Sequence, residues 1–288
     1  SHPPLVNLPP SGAAATGSVL LGGMLFGTAG VAQAFAPSGA HPLTVGAMRL
    51  SVGAIALIIF VLARGDTFGS VVRLWGSPAG LIATAGAAAY QPFFFAGVAR
   101  VGVPLGTLVA VGSAPIFTGL LGWVWRRERP TGTWALATTI CVAGLALLTG
   151  AGAQVGSLDG IALTAGAGVS IACYTVAAKS LLESGVDAIG VCASTFLLGS
   201  IVVLPFALGQ GIGWALTGSG VLVALYLGLA TMAVANILYA RGLLHLPPAT
   251  AATLGLADPV TATALGVLVL GQTVSPLGWL GFLGVVVG

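Results

Sequence analysis

Long apolar stretches, separated by short breaks of glycine, proline or charged residues, run along the whole chain. Most contain roughly 18 to 25 residues, enough for a helix to cross a hydrocarbon core of ~30 Å. Residues 54–63 (AIALIIFVLA) are continuously apolar, whereas the strands of a membrane β-barrel alternate apolar and polar positions. The pattern predicts an all-α integral membrane protein with ten transmembrane helices, at residues 18–36, 43–63, 77–99, 102–125, 131–149, 158–182, 188–208, 217–240, 248–270 and 275–288.

The composition agrees with a membrane location and narrows the partners. Hydrophobic residues make up 57% of the 288 and charged residues 5%, against roughly 25% charged in soluble domains. Nine Lys and Arg residues spread over the loops are explained by membrane topology rather than by nucleic-acid binding. The three cysteines show no metal-ligand spacing. We expect a lipid bilayer and a small-molecule substrate as partners, and neither nucleic acid nor a cofactor.

The basic residues also predict the orientation of the chain. With a cytoplasmic N-terminus, seven of them fall in the inside loops and only Arg49 and Arg100 at the outside ends. Because cytoplasmic loops carry an excess of Lys and Arg, both termini are predicted to be cytoplasmic. Residues 1–16 are polar and Pro-rich at their start and are predicted to form a flexible N-terminal tail.

The chain is similar to itself at a shift of about 144 to 146 residues. The similarity divides it into two five-helix repeats, residues 17–150 and 151–288. An odd number of spans in each repeat gives the two copies opposite orientations in the membrane, the arrangement used for alternating access. A duplicated membrane enzyme or scaffold is the alternative. The matched pairs are Pro104 with Pro248, Pro115 with Pro259, Gly122 with Gly266, Gly22 with Gly168, Gly39 with Gly185, Gly53 with Gly199, Phe60 with Phe206 and Gly65 with Gly211.

Two matched segments resemble a known family. Residues 115–122 (PIFTGLLG) precede Glu128 and Arg129, and residues 259–266 precede Gly271 and Gln272. This pattern resembles the drug/metabolite transporter superfamily, in its ten-span EamA type, and the resemblance implies a home in a bacterial inner membrane. Within the family the chain is most similar to the YddG-type amino-acid exporters, which implies export of aromatic or other neutral amino acids. Gln272 departs from the glutamate that is usual there.

Few ionisable or strongly polar side chains lie inside the spans, and such groups mark functional sites in membrane proteins. Asp258, directly before Pro259, is the deepest carboxylate. Two roles are open for it: carrying a proton during transport, or capping a helix that is broken at the proline. Pro115 and Pro259 stand mid-span in matched helices and are predicted to be hinges. Arg49 is expected to snorkel to the outer interface, with attraction of a carboxylate as the alternative.

Polar and aromatic residues predict a substrate site between the repeats. Asn236 and Tyr239 are three residues apart and share a helix face, while Tyr90 and Gln91 precede a proline in the matched helix. Packing and interhelical hydrogen bonds are the alternative explanation for both pairs. Thr28 and Tyr174 align under the 146-residue shift and are predicted to face each other. The predicted substrate-binding residues are therefore Thr28, Tyr90, Gln91, Tyr174, Asn236 and Tyr239.

No signature of an enzyme occurs in the chain. It contains no HExxH, GxSxG, Walker or GxGxxG context, and its three histidines are scattered. We therefore predict a secondary transporter, monomeric or weakly oligomeric, that exports amino acids by alternating access. A drug-like cation or a nucleotide sugar is the alternative solute, and a polytopic membrane enzyme or scaffold the alternative class.

Overall fold

The computed structural model describes residues 12–150 and 157–288, which fold into helices without a strand. Two 3₁₀ turns, Arg73–Gly76 and Gly213–Leu216, and a π-helical segment, Leu227–Val234, complete this part of the chain. The α-helices are α1 (Gly12–Ala34), α2 (Pro42–Ala63), α3 (Phe68–Val72), α4 (Pro78–Val101), α5 (Val103–Arg126), α6 (Gly132–Leu148), α7 (Leu158–Glu183), α8 (Ala188–Leu208), α9 (Gly218–Tyr226), α10 (Ala235–Leu243), α11 (Pro248–Leu254), α12 (Ala257–Leu270) and α13 (Pro276–Val287).

Eight helices in the described residues are long and apolar enough to cross a membrane, which confirms the all-α membrane class. Two of these eight are composite, since α9, the π segment and α10 run on as one helix and α11 and α12 lie within another. The other two predicted spans coincide with α6 and α13, which are shorter apolar helices. Helix α1 begins at Gly12, so the last residues of the predicted tail (1–16) are helical. Residues 1–11 lie outside the described part.

The backbone repeats at the shift seen in the sequence. Gly39 and Gly185 both have φ of 92°, and each closes the turn between the first and second helix of its half. Gly65 and Gly211, with φ of 91° and 83°, do the same after the second helix. Positive φ is a conformation that glycine adopts without steric cost. The 146-residue spacing therefore reflects two copies of one folding unit.

The two halves interlock rather than sit side by side. Helix α1 packs on α10 and α12, and its counterpart α7 packs in the same way on α4 and α5. The second helices of the halves, α2 and α8, pack on each other, as do the last helices, α6 and α13. Nearly every major contact thus joins one half to the other, and each has a symmetric partner.

Glycines let these helices approach at backbone distance, as is usual for helix pairs in membranes. A Cβ added at Gly144 of α6 would lie 2.7 Å from the Gly281 carbonyl oxygen of α13. A Cβ at Gly27 of α1 would collide with the backbone carbonyl of Asp258 and come within 2.7 Å of the Thr261 Cβ. Only glycine permits these separations, so the helix pairs are set by sequence positions with no side chain.

One end of the bundle, which we call the ionic end, carries ion pairs that tie the halves together. Arg64, after α2, donates to both carboxylate oxygens of Asp187 at 2.5 and 3.0 Å and also pairs with Asp66. Burial by itself would raise the pKa of Asp187, but the hydrogen bonds and charge of Arg64 outweigh it, so this pKa lies below the ordinary 3.8. Asp187 therefore stays ionised at neutral pH.

A second ionic cluster lies at the same end and includes Glu183, four residues before Asp187 in the chain. Arg126, at the end of α5, donates to Glu128 at 2.7 Å and to Glu183 of α7 at 2.6 Å. Lys179 of α7 donates to the Leu243 carbonyl at 2.9 Å, which fastens the end of α10. The connections that follow α2, α5, α7 and α10 are thus joined at the ionic end.

Candidate functional site

A cavity of about 840 Å³ lies between the two halves, with walls from both. It extends from Tyr239 and Ala252 in the middle of the bundle to Thr149 and Gln272 near the ends of α6 and α12. We call that end, opposite the ionic end, the open end. No residue of the ionic clusters lines the cavity. The cavity therefore extends, among the described residues, toward the open end and stops short of the ionic end.

Most of the predicted site residues meet in this cavity, although they come from four separate helices. Helices α4 and α10 supply one pair each, α7 supplies one side chain, and α12 supplies two residues beside the helix break. The cavity lining includes Tyr90, Gln91, Tyr174, Asn236, Tyr239, Asp258 and Pro259. Tertiary packing thus brings together residues that the sequence singled out for polarity inside apolar spans.

Three tyrosines in the lining each pack against a phenylalanine that also lines the cavity. The ring pairs are Tyr90 with Phe94 (centroids 5.5 Å apart), Tyr174 with Phe196 (6.1 Å) and Tyr239 with Phe26 (6.4 Å). Such aromatic pairs form a rigid apolar surface with phenol groups at its edge. This wall is suited to a large apolar or aromatic group of a ligand.

Two of the carboxamides in the lining, Gln91 and Asn236, differ in their bonding. Asn236 donates to the Met232 carbonyl of its own helix at 2.8 Å, so part of its capacity is used locally. Gln91 has no hydrogen-bond partner among the described residues. It fits against Gly46, where a Cβ would lie 2.6 Å from the Gln91 Oε1 atom. Gln91 therefore offers a free donor and acceptor to the cavity, whereas Asn236 offers mainly its oxygen.

Two predicted residues lie elsewhere. The Thr28 hydroxyl donates to the Leu25 carbonyl at 2.7 Å and accepts from the Tyr226 hydroxyl at 2.9 Å, outside the cavity lining. The expectation that Thr28 faces Tyr174 across the site is therefore corrected: Thr28 joins α1 to α9. Pro115 is buried within the continuous helix α5 and does not line the cavity.

The helix that contains Pro259 is interrupted where the sequence places a mid-span proline. Pro259 has no N–H to donate to the Gly255 carbonyl, which accepts from the Asp258 N–H at 3.0 Å instead. Helix α11 ends at Leu254 and α12 begins at Ala257, so Asp258 lies in the first turn of α12. Its carboxylate makes no hydrogen bond to a described residue, which leaves no sign of the capping role considered above.

Arg49 is a cavity residue that the sequence analysis did not include among the substrate-binding residues, although it left attraction of a carboxylate open as the alternative role. We expected it to snorkel to the outer interface, but it lines the cavity, and its Nη2 donates to the Thr231 carbonyl at 3.0 Å. Its Nε is buried without a hydrogen-bond partner, and no carboxylate of a described residue lies within 4.0 Å. Tyr90 and Asp258 are near enough to interact electrostatically with the guanidinium of Arg49. The available signal was its position two turns inside a span.

The site therefore combines a cation, an anion and an aromatic wall in a cavity inside the membrane-spanning bundle. Arg49 comes from α2 of the first half and Asp258 from α12 of the second, and no salt bridge joins them. The described residues contain no group of three or more His, Cys, Asp or Glu that could hold a metal ion. This arrangement is suited to holding a small polar molecule between the halves.

Comparison with known proteins gives matches over almost the whole chain. The sequence model of the EamA-like transporter family matches twice, at residues 15–150 and 158–288. The uncharacterized transporter YwfM of Bacillus subtilis (strain 168) is 37% identical over 264 residues, which cover 91% of this chain and 88% of that protein. The uncharacterized inner membrane transporter YicL of Salmonella typhimurium is 25% identical over 276 residues, 92% of this chain and 90% of that protein.

A solved crystal structure has the same fold. It covers 95% of this chain and 94% of its own, with a TM-score of 0.82 at 22% sequence identity. The double family match, together with this similarity, agrees with the two interlocked halves seen in the packing.

Proposed function

Because the chain belongs to the EamA-like transporter family, we propose that it is a secondary transporter that exports amino acids, chiefly aromatic or neutral ones, by alternating access. It works as two five-helix halves of inverted topology, ten spans in all, with both termini in the cytoplasm. The membrane is a bacterial inner membrane. These halves exchange conformations, so that the site between them opens to one side and then to the other.

The observation that supports this proposal is the contrast between the two ends of the cavity. At one end it extends to Gln272 near the end of α12, while ion pairs such as Arg64–Asp187 join the halves at the other end, which the cavity does not reach. With the ionic end in the cytoplasm, the conformation described here faces outward. Loading of an exported solute then requires the inverse state, in which the ionic end opens and the open end closes.

The site favours amino acids over the alternative solutes. A drug-like cation would meet the guanidinium of Arg49 with no counter-ion beside it, which repels a like charge. A nucleotide sugar carries two phosphate charges, for which the lining offers a single arginine and an opposing aspartate. An amino acid has one charge of each sign and a side chain that the aromatic wall can hold.

Asp258 and Pro259 have separate roles in the proposed cycle. Asp258 has no bonded partner among the described residues and faces the cavity, so its carboxylate is free to exchange a proton as the cavity changes sides. Pro259 follows the interruption between α11 and α12, where the chain lacks a complete helical ladder and bends with least cost. We propose Asp258 as the proton-coupling group, and Pro259 as a hinge with Pro115 in the matched helix.

The test is uptake of labelled amino acids into liposomes that contain the purified protein, with and without an imposed pH gradient. We expect uptake of phenylalanine or leucine above that of empty liposomes, and a dependence on the gradient that Asp258→Asn removes. Asp159→Asn is the matched control because Asp159 is exposed and pairs with Arg100 outside the cavity. Uptake of another solute class but of no amino acid would support transport by this chain and reject amino acids as its substrates. Absence of any flux would reject transport by this chain.

A further inference from the structure

We propose that Arg49 and Asp258 recognise the two charged ends of one zwitterion, Arg49 binding the carboxylate and Asp258 the ammonium of an α-amino acid. This inference rests on the proposed function and specifies the chemistry of its site. It goes beyond that function by assigning each charged group of the substrate to one side chain and by predicting which analogues are refused.

Arg49 is prepared for a carboxylate. One of its N–H groups donates to the Thr231 carbonyl at 3.0 Å, which restrains the guanidinium, and the buried Nε still lacks an acceptor. A planar guanidinium with vacant donors binds a carboxylate through two parallel hydrogen bonds. A charge inside a membrane protein without a counter-ion is costly. A substrate carboxylate would supply both the missing acceptor and the missing charge.

The position of Arg49 is set by close packing of α2 on the π segment. A Cβ added at Gly53 would lie 3.0 Å from the Gly228 carbonyl oxygen and 2.9 Å from the Met232 Cβ, so the two backbones are nearly in contact. Thr231, whose carbonyl accepts the hydrogen bond from Arg49, belongs to this π-helical segment. Segments of π-helix inside α-helices frequently occur at functional sites. Arg49 is therefore held by the helix pair and cannot swing across to Asp258 without losing this bond.

Asp258 is prepared for an ammonium. Its carboxylate faces the cavity, accepts no hydrogen bond from the described residues, and feels the charge of Arg49 without a salt bridge to it. The separation matters because a direct pair would satisfy both groups and leave nothing for a ligand. Two opposite charges that are near but not in contact leave a gap that a molecule with both charges can fill.

The arrangement predicts rejection of analogues with one charge. A primary amine would pair with Asp258 but leave Arg49 buried and unsatisfied, and a simple carboxylic acid would do the reverse. Sites built to bond a polar group discriminate strongly against ligands that lack it, because the protein group is then left unpaired. The side chain of the substrate would lie on the aromatic wall beside Phe94 and Phe196, so large neutral side chains are preferred.

The experiment uses three matched probes: phenylalanine, phenethylamine, which lacks the carboxylate, and 3-phenylpropionate, which lacks the ammonium. A second set is leucine, isopentylamine and 4-methylpentanoate. Each probe competes with the labelled amino acid in counterflow with the full-length protein in liposomes. For the wild type, we expect the analogues to compete at least ~30-fold more weakly than the amino acid.

Two variants separate the roles of the charges. Arg49→Gln should weaken binding of phenylalanine about 100-fold, while phenethylamine competes at least as well as in the wild type, since the amine never used the arginine and is no longer repelled by it. Asp258→Asn should likewise weaken binding of phenylalanine, while 3-phenylpropionate competes at least as well as in the wild type. This crossed pattern is the readout, because a merely structural defect weakens all three probes equally. Arg100→Gln and Asp159→Asn remove the same charges from an exposed pair outside the cavity and should change none of the ratios.

Equal competition by phenylalanine and phenethylamine in the wild type would overturn the proposal, as would a uniform loss in either variant. Arg49→Lys keeps the charge without the planar donors and should fall between the wild type and Arg49→Gln. Flux of a solute that is not a zwitterion would reject this inference and leave the transporter in place. No flux of any solute would reject the proposed function itself, and the inference with it.

Discussion

The two halves of this protein have the same fold but carry different charges at matched positions. Arg49 in the first half corresponds, at the 146-residue shift, to Thr195 in the second, and Asp258 corresponds at 144 residues to Ala114. Each charged cavity residue therefore has a small neutral counterpart. Symmetry in the backbone supplies two interchangeable halves, whereas the asymmetry in side chains supplies a site with one positive and one negative pole.

The matched helices that contain Pro115 and Pro259 differ in the same sense. Helix α5 continues through Pro115, whereas the second helix stops before Pro259 and resumes as α12. Proline alone does not decide the outcome, since both residues lack the N–H. Four residues before Pro259 is Gly255, a poor helix former that accepts the 3₁₀-type bond, and at the matched position of α5 is Val111. The second half thus carries the break beside the charged residue.

Exchanging the charge between the halves is the strongest way to break this comparison. Arg49→Thr should leave the fold intact, because it removes a charge that has no counter-ion, while amino-acid transport falls at least ~100-fold. Thr195→Arg should cost on the order of 3 to 5 kcal/mol, since Thr195 is 1% exposed and a guanidinium there has no partner. Size-exclusion yield and counterflow measure the two effects. A well-folded Thr195→Arg variant would show that the halves tolerate charge equally.

Gly27 tests whether close packing of α1 keeps Asp258 in place. Its counterpart at the 146-residue shift is Cys173, so the second half tolerates a side chain where the first does not. Gly27→Ala forces α1 away from the Asp258 backbone and should cost about 1 to 3 kcal/mol, with transport reduced about tenfold. Gly17→Ala in the same helix has no atom within 4 Å of its new Cβ and is the matched control. Thermal unfolding and counterflow measure the two effects. Equal stability and equal transport of Gly27→Ala and Gly17→Ala would contradict the prediction.

The smallest expected difference concerns Thr28 and Tyr174, which are also repeat counterparts. Thr28→Val removes a hydrogen bond to Tyr226 outside the cavity and should lower stability by about 0.5 to 1 kcal/mol, with transport within about twofold of the wild type. Tyr174→Ala removes part of the aromatic wall and should weaken substrate about tenfold. Apparent KM for phenylalanine distinguishes the pair. A large effect of Thr28→Val on KM would return Thr28 to the site.

The sequence by itself determined the class of protein, its duplication and five of the six predicted substrate-binding residues that line the cavity. Apolar segments of membrane-crossing length must be helical, since lipid offers no partner for a free backbone amide. Matched glycines and prolines carry the repeat, because backbone conformation depends on them locally. Tyr90 and Tyr239 stood out in the same way, as polar groups inside apolar segments that need a reason to be there.

Only the tertiary structure decided which way the side chains point. Arg49 lies two turns inside α2, from where its long side chain can reach either the outer interface or the interior, and packing of α2 on the π segment turned it inward. Thr28 shares its repeat position with Tyr174 but faces Tyr226 instead. Hydrophobic periodicity defines a helix face weakly when both lipid and protein interior are apolar. The direction of each side chain is therefore set by which helices pack against it.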